Sequence, residues 1–304
     1  MTSVREEILS ATSSDDLRRA LLGADPRLSR FDPLPRIISH DDFDRGHCGW
    51  SQLIGNYEGD LDSMLPGYQP LTNPMLSTLA HWEGGSHGGM DGSYVLKLAT
   101  RPQRDTATVG IKRLTFRKAG PIRLEFYMTF KPEATSLALS EQDVKSVGFL
   151  LDLQSGDKSG SPERVMPHLR YLNAKDGVLQ QKWQFKRGAP RIHDIGDGVD
   201  TVSHFHLEDD GWEDLPGGDQ RLCYNEIPTK VNWHYVCLDF DLETMKATGF
   251  RCNDRVFDVS AFDSIRMPAM KNLWCMLNLA FFTETAADKR AFFYIDSVCL
   301  SGDF

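Results

Sequence analysis

A two-residue hydrophobic period, returning in one short segment after another from Ile37 onward, constrains this chain more than any other feature. Its clearest run is IRLEFYMTF, in which Ile122, Leu124, Phe126, Met128 and Phe130 share one face and Arg123, Glu125, Tyr127 and Thr129 the other. Successive side chains of an extended strand point to opposite sides, so the pattern puts one side on a core and the other toward water. The same alternation links Tyr94, Leu96 and Leu98, then Val147, Phe149, Leu151 and Leu153, then Leu179, Gln181, Trp183 and Phe185, and then Val236, Leu238 and Phe240. Toward the end it joins Leu273, Cys275, Leu277, Leu279 and Phe281, and finally Phe292, Tyr294, Val298 and Leu300. Turn-forming groups separate the runs, as at Ala119-Gly120-Pro121, Ser155-Gly156-Asp157, Lys175-Asp176-Gly177 and Asn253-Asp254. Many short strands with no helix-length period between them predict an all-β antiparallel β-sandwich.

The beginning of the chain reads differently. Thr2 or Ser3 can cap a first turn containing Glu6, and Ser13 or Ser14 precedes Asp15, Asp16 and the Leu17 to Leu22 segment, which predicts two short helices. Pro26, Pro33 and Pro35 then break regular structure. The expected division is a short N-terminal helical extension and linker over 1–36 and a sandwich domain over 37–304. Two Gly-rich stretches, Gly55 to Gly92 and Lys186 to Gly218, are expected to be long loops, and long loops inside a compact domain more often carry function than not.

Charge narrows the partners. With 34 Lys and Arg against 43 Asp and Glu, the formal charge is −9, which disfavours nucleic acid and anionic membranes and leaves a neutral ligand such as a sugar. Met1 to Leu22 lacks the basic and apolar regions of a secretory signal, and no stretch reaches the roughly 18 apolar residues of a membrane span. The six cysteines are scattered without a CxxC pair and read as reduced, so a cytoplasmic location is expected.

Four segments then stand in a telling order. DFDRGHCGW runs from Asp42 to Trp50, GSYVLKL from Gly92 to Leu98, WHYVCLDFD from Trp233 to Asp241, and FFYIDSVCLS from Phe292 to Ser301. This succession resembles jelly-roll domains of the concanavalin A-like lectin and glucanase type and their related carbohydrate-binding modules, over roughly Ile37 to Phe304. The resemblance implies a jelly roll, a carbohydrate or sugar-derivative ligand, and a structural Ca²⁺ held by Asp296 with Asp44 or Asp42. Asp91 could add a further oxygen.

Candidate site residues fall into two groups. His204 and His206 alternate within VSHFHL and so aim the same way along an extended backbone; with Glu208 or Asp209 they could hold zinc, or act as a base. His168, which alternates with Arg170, completes a candidate catalytic set for a hydrolase or lyase. Trp82, Trp183, Trp212 and Tyr224, together with Arg170, form a candidate binding set, because a sugar ring stacks on an aromatic plate while polar side chains bond its hydroxyls. Trp183, set among Gln180, Gln181, Lys182 and Gln184, suits a groove-lining strand, whereas Trp50, Trp233 and Trp274 are assigned to the core. Neither a Glu-x-Asp-x-x-Glu run nor a GxxxxGK[ST] loop occurs. The leading expectation is therefore a carbohydrate-binding jelly roll. A cytoplasmic sugar-active enzyme is the alternative, and a homo-oligomeric assembly protein docking through its N-terminal helices is the third reading.

Overall fold

The computed structural model describes residues 13–52, 74–77, 89–90, 92–133, 140–156, 163–187, 209–224, 232–269 and 274–304, with residues 6, 8 and 10 besides. Helix α1 (Ser14–Ala24) precedes β1 (Arg36–Asp41), β2 (Trp50–Gln52), β3 (Met75–Ser77), β4 (Val95–Ala99), β5 (Ala107–Thr115) and β6 (Pro121–Pro132). There follow β7 (Val144–Gln154), β8 (Glu163–Met166), β9 (His168–Lys175), β10 (Val178–Lys186) and β11 (Trp212–Asp219). The last group is β12 (His234–Asp241), β13 (Lys246–Cys252), β14 (Arg255–Phe257), β15 (Ile265–Pro268), β16 (Met276–Thr285) and β17 (Ala291–Gly302). Among the described residues these strands make two antiparallel sheets. One has the order β14-β13-β12-β6-β17-β4-β3, with β1 also on β17; the other has the order β11-β10-β9-β7-β16-β5-β2, with β8 on β7 and β15 on β8. The expected all-β jelly-roll sandwich, with a helical extension at its start, is the architecture observed.

The alternation read from the sequence builds the core. Leu124, Phe126 and Phe130 of β6, with Val236 and Phe240 of β12 beside them in the same sheet, face Phe149 and Leu151 of β7 and Leu279 and Phe281 of β16, all buried in one cluster between the sheets. Phe126 meets Phe281 edge-on at 4.8 Å and Phe149 at 5.1 Å, so single rings bridge the two layers. Burying a large apolar side chain stabilises by about 1.5–3 kcal/mol, and this continuous aromatic cluster is the main favourable contribution.

Four local features depart from the sequence reading. Asp296 to Val298 holds a bulge that shifts the register of β17 against β6. Phe293 and Ile295 therefore point into the core together with Val298 and Leu300, while Phe292 and Tyr294 fall on the opposite side. Trp183 is corrected from a groove-lining to a core residue: it is wholly buried, packs edge-on against Phe250 at 4.9 Å, and donates Nε1–H to Gln220 Oε1 at 2.9 Å. The polar residues around it face the other way or lie at a bulge, where Gln181 takes a positive φ of 53°. Trp274, assigned to the core, is 46 % exposed. Finally, the stretch expected to be a loop up to Gly218 contains β11, whose polar sequence WEDLPGGD gives no apolar period because it is an edge strand.

The segment before β1 crosses the outer face of the first sheet as a strap. Asp32 N–H donates to Glu125 Oε1 at 2.8 Å, Leu34 N–H to Ser301 Oγ at 2.9 Å, Tyr127 O–H to the Arg30 carbonyl at 3.2 Å, and Arg123 Nη1–H to the Asp32 carbonyl at 2.7 Å. Phe31, buried beneath the strap, lies 5.7 Å from the Tyr127 ring. Ser13 caps α1 by accepting from Asp16 N–H, and Arg18 Nη2–H reaches the carbonyls of Pro33 and Leu34, both at 2.6 Å. The first of the two expected helices falls mostly outside the described residues, although residues 6, 8 and 10 are helical.

Gly148 of β7 is a position where the second sheet tolerates no side chain. A Cβ there would lie 2.5 Å from the Leu169 carbonyl oxygen and collide with the Phe282 ring. Gly148→Ala is expected to destabilise by about 1–3 kcal/mol, the usual penalty of overpacking, read as a lower urea midpoint at unchanged slope.

Candidate functional site

The outer face of the second sheet carries a concentration of charge that a sheet face turned to water does not need. Phe149, Leu151, Leu169, Trp183, Phe185, Leu279 and Phe281 point inward, so their neighbours Ser146, Gly148, His168, Arg170, Gln184, Lys186, Phe282 and Glu284 point outward. Register aligns them. Gly148 lies opposite Phe282 on one side and Arg170 on the other, Arg170 lies opposite Gln184, and Gln184 lies opposite Asp214. One row away, Leu150 lies opposite His168, and Lys186 opposite Trp212.

Arg170 is the hub of this face. Its side chain is only 4 % exposed; Nε–H donates to Gln184 Oε1 at 2.9 Å, and Nη1 lies 3.4 Å from Glu284 Oε2 and 3.5 Å from Asp209 Oδ1. The guanidinium carbon stands 4.2 Å from the centre of the Trp212 ring, a cation–π contact worth about 0.5–2 kcal/mol. Lys186 Nζ lies 5.4 Å from the same ring, and the Phe282 and His168 rings lie 6.2 Å and 6.3 Å away. Trp212 itself is half-buried. Gly148 makes this bed flat, because a side chain there would displace Phe282.

A second cation ties the carboxylates together. Lys145 Nζ donates to Asp209 Oδ2 at 2.8 Å and lies 3.9 Å from Glu284 Oε1, while Ser146 Oγ–H donates to Glu284 Oε2. Burial works against the charged form of Asp209, but the hydrogen bond and charge of Lys145 and the charge of Arg170 outweigh it and hold its pKa below the ordinary carboxylate value. At Asp214 burial is likewise outweighed, here by hydrogen bonds from Lys182 Nζ at 2.6 Å and Gln184 Nε2 at 2.7 Å. Both carboxylates are therefore ionised and fixed in position.

Four residues singled out in the sequence, His168, Arg170, Asp209 and Trp212, come together here. Their roles are not all those expected. His168 is fully buried, and its Nδ1–H donates to the Met166 carbonyl at 2.8 Å. Burial lowers its pKa to about 3, so the ring is neutral throughout the physiological range and does not take up a proton as a general base would. Trp183 lies on the core side of the same sheet. Tyr224 packs against the core, its ring 6.5 Å from Phe130, and its carbonyl accepts from Asn232. Trp82, His204 and His206 lie outside the described residues. Lys145, Ser146, Gln184, Lys186, Asp214 and Glu284 were not singled out; the one sequence signal for Glu284 is the polar Thr283-Glu284-Thr285 end of an otherwise apolar strand.

The acidic residues expected to hold calcium act as a clamp on the chain. Asp44 Oδ1 accepts from the Ser93 and Tyr94 N–H groups at 2.8 and 3.1 Å, and Asp296 accepts from Met90 N–H at 2.6 Å and Ser297 N–H at 2.7 Å. Asp42 pairs with Arg27 at 2.8 Å. Among the described residues no three His, Cys, Asp or Glu side chains gather as a metal-ligand group, and Asp91 lies outside those residues. Two clefts of about 420 Å³ flank α1; the first is lined largely by Leu17, Leu21, Leu22, Leu28, Pro35 and Ile37, and neither reaches the charged face.

A family model described as a domain of unknown function (DUF6772) matches residues 18–304. No curated protein matches the sequence. Solved structures similar to this chain include the carbohydrate recognition domain of Emp47p, at 9 % identity and a TM-score of 0.38, covering 90 % of this chain and 100 % of that one. The cellulose-induced protein Cip1 has 10 % identity and a TM-score of 0.40, covering 87 % and 97 %. A Bacillus subtilis protein with a galectin-like fold has 9 % identity and a TM-score of 0.39, covering 89 % and 97 %. At such identities the likeness extends to architecture and no further.

The state of His168 makes acid sensitivity measurable. Above pH 6.5 the ring is neutral in both folded and unfolded chains; between pH 6.5 and about 3 only the unfolded chain takes up the proton. Stability should therefore fall with acidification by about 1.4 kcal/mol per pH unit over that window. His234, whose pKa burial also lowers, adds to the same trend. Urea unfolding at pH 7 and pH 5 should show the loss, and His168→Gln should remove the His168 share of it.

Proposed function

The chain belongs to the DUF6772 family, and we propose that this member binds a carbohydrate on the outer face of its nine-stranded sheet, with Trp212 as the stacking plate. The observation that carries the reading is the bed beneath that indole: Arg170 at 4.2 Å and Lys186 at 5.4 Å hold one aromatic ring in place. Beside it stand Asp209 and Asp214, each already oriented by a cation. A pyranose has an apolar face that suits a fixed aromatic plate and an equatorial belt of hydroxyls that suits fixed acceptors. Fixing both in advance removes much of the ordering cost that binding would otherwise incur.

Binding is favoured over catalysis by the state of the charged groups. The ionised Asp209 is salt-bridged, and His168 is neutral and enclosed, so neither supplies the proton that glycosidic cleavage requires. Calcium belongs in the same screen. An ion at Asp44 and Asp296 would compete with the amides of Met90, Ser93 and Tyr94, and an EDTA arm reads that competition.

The test is a thermal-shift and fluorescence titration against a panel of oligosaccharides. A ligand of the native state raises Tm by mass action, and stacking on Trp212 changes its emission. Trp212→Ala is expected to lose binding, with affinity falling at least about tenfold, and to lose no more than about 2 kcal/mol of unfolding free energy, since the ring is half-buried at an edge strand and its main contact is the cation–π pair with Arg170. Trp183→Ala, by contrast, should cost about 3–5 kcal/mol in stability, as a core deletion. Binding that survives Trp212→Ala unchanged would sink the proposal.

A further inference from the structure

The arrangement of charge by depth on this face restricts the class of sugar. Its cations lie low: the side chains of Arg170, Lys145 and Lys182 are 4 %, 10 % and 23 % exposed, and Lys186 is fully buried. Its carboxylates stand high: the Asp209 and Asp214 side chains are 52 % and 51 % exposed. Each exposed carboxylate is bound from below. Lys145 and Arg170 hold Asp209, and Lys182 and Gln184 hold Asp214. Strand position sets Asp214 two residues from Trp212, on the same face of β11.

A ligand resting on Trp212 therefore meets negative acceptors, not cations. A carboxylate offers about four lone-pair sites, and each oxygen of Asp209 and Asp214 accepts one bond from below, which leaves capacity for a donor from above. Sugar hydroxyls are such donors, and neighbouring hydroxyls can reach both oxygens of one carboxylate. A ligand carboxylate or sulfate in the same place would meet like charge at close range, within the field of a chain whose formal charge is −9. To reach Arg170 it would have to displace Asp209 and leave Lys145 without its closest partner.

We infer that the site selects neutral saccharides that donate adjacent hydroxyls to Asp209 and Asp214, and that it rejects uronate-bearing and other anionic sugars. This rests on the carbohydrate-binding reading above. Both carboxylates have pKa values below the ordinary range, which keeps them charged over the pH span in which such ligands occur.

Calorimetric titration of the full chain separates this inference from the reading beneath it. The neutral probes are cellohexaose, xylohexaose, mannohexaose and galactohexaose; the anionic probes are the hexamers of galacturonate and mannuronate. The expected result is that at least one neutral hexamer binds and that each uronate binds at least about tenfold more weakly. Asp214→Asn and Asp209→Asn, half-exposed positions whose Tm serves as the folding control, should weaken the neutral ligand and narrow the gap to the uronates. A uronate that binds as tightly as the best neutral hexamer, in a manner lost in Trp212→Ala, would overturn the inference while the carbohydrate reading stands. Binding by none of the six probes would overturn the carbohydrate reading and the inference with it.

Discussion

A guanidinium withdrawn from water must be surrounded by partners, and the second sheet of this protein is organised around that requirement. Removing a charged group from solvent costs several kcal/mol after relaxation, so a buried Arg170 needs compensation from every direction. Gln184 answers from β10, Glu284 from β16, Asp209 from the residues leading into β11, and the Trp212 ring from above. Three stretches of chain besides its own strand must be in register for one side chain to be tolerated. Gly148 permits this, since a side chain between Phe282 and the β9 backbone would lift the aromatic floor beside the guanidinium.

The same requirement explains why this face is rigid although it is polar. Lys145 and Arg170 share two carboxylates, Asp209 and Glu284, so moving one member leaves another incompletely paired. Shared networks of this kind resist piecemeal disruption and hold their members in a single geometry. Rigidity is also what the proposed hydroxyl-reading role requires, because a flexible acceptor would lose in ordering most of what each hydrogen bond contributes.

The fold was largely legible in the sequence because its signal is local. Alternation in IRLEFYMTF and VGFLLDL names the inward residues of β6 and β7 directly, and Asp176-Gly177, both at positive φ, marks the β9–β10 hairpin. What escaped is what alternation cannot carry. A one-residue bulge after Asp296 exchanges the two faces of β17, so Phe293 and Ile295 replace Phe292 and Tyr294 in the core. Trp183 looked like a groove residue because its sequence neighbours are polar, yet those neighbours belong to the opposite side of the strand or to the bulge at Gln181. The site was legible only in fragments. His168, Arg170, Asp209 and Trp212 could be singled out by residue type, but pairing across five strands, not spacing along one, brings Lys145, Gln184, Asp214 and Glu284 to them.

The two outer faces of the sandwich solve opposite problems, and the contrast supports the placing of the proposed ligand on the second sheet. On the first sheet Glu125 is fully buried, and burial raises its pKa, although Tyr235 O–H at 2.6 Å and Asp32 N–H at 2.8 Å both donate to it. Its neighbours across the sheet are Cys237 and Cys299, whose thiols burial pushes up to about 12. Burial likewise lowers the pKa of His40 in the same row and so favours its neutral form, whereas Arg251 at the other end of the row is held in its charged form by the Tyr235 hydroxyl. On the second sheet the balance is reversed: Asp209 and Asp214 are held in the charged form by cations beneath them, at a cost in desolvation that packing alone would not require. Fixed charge at half exposure beside an aromatic ring is what the proposed ligand would engage, whereas the first sheet's face is covered by residues 26–35 of the chain itself.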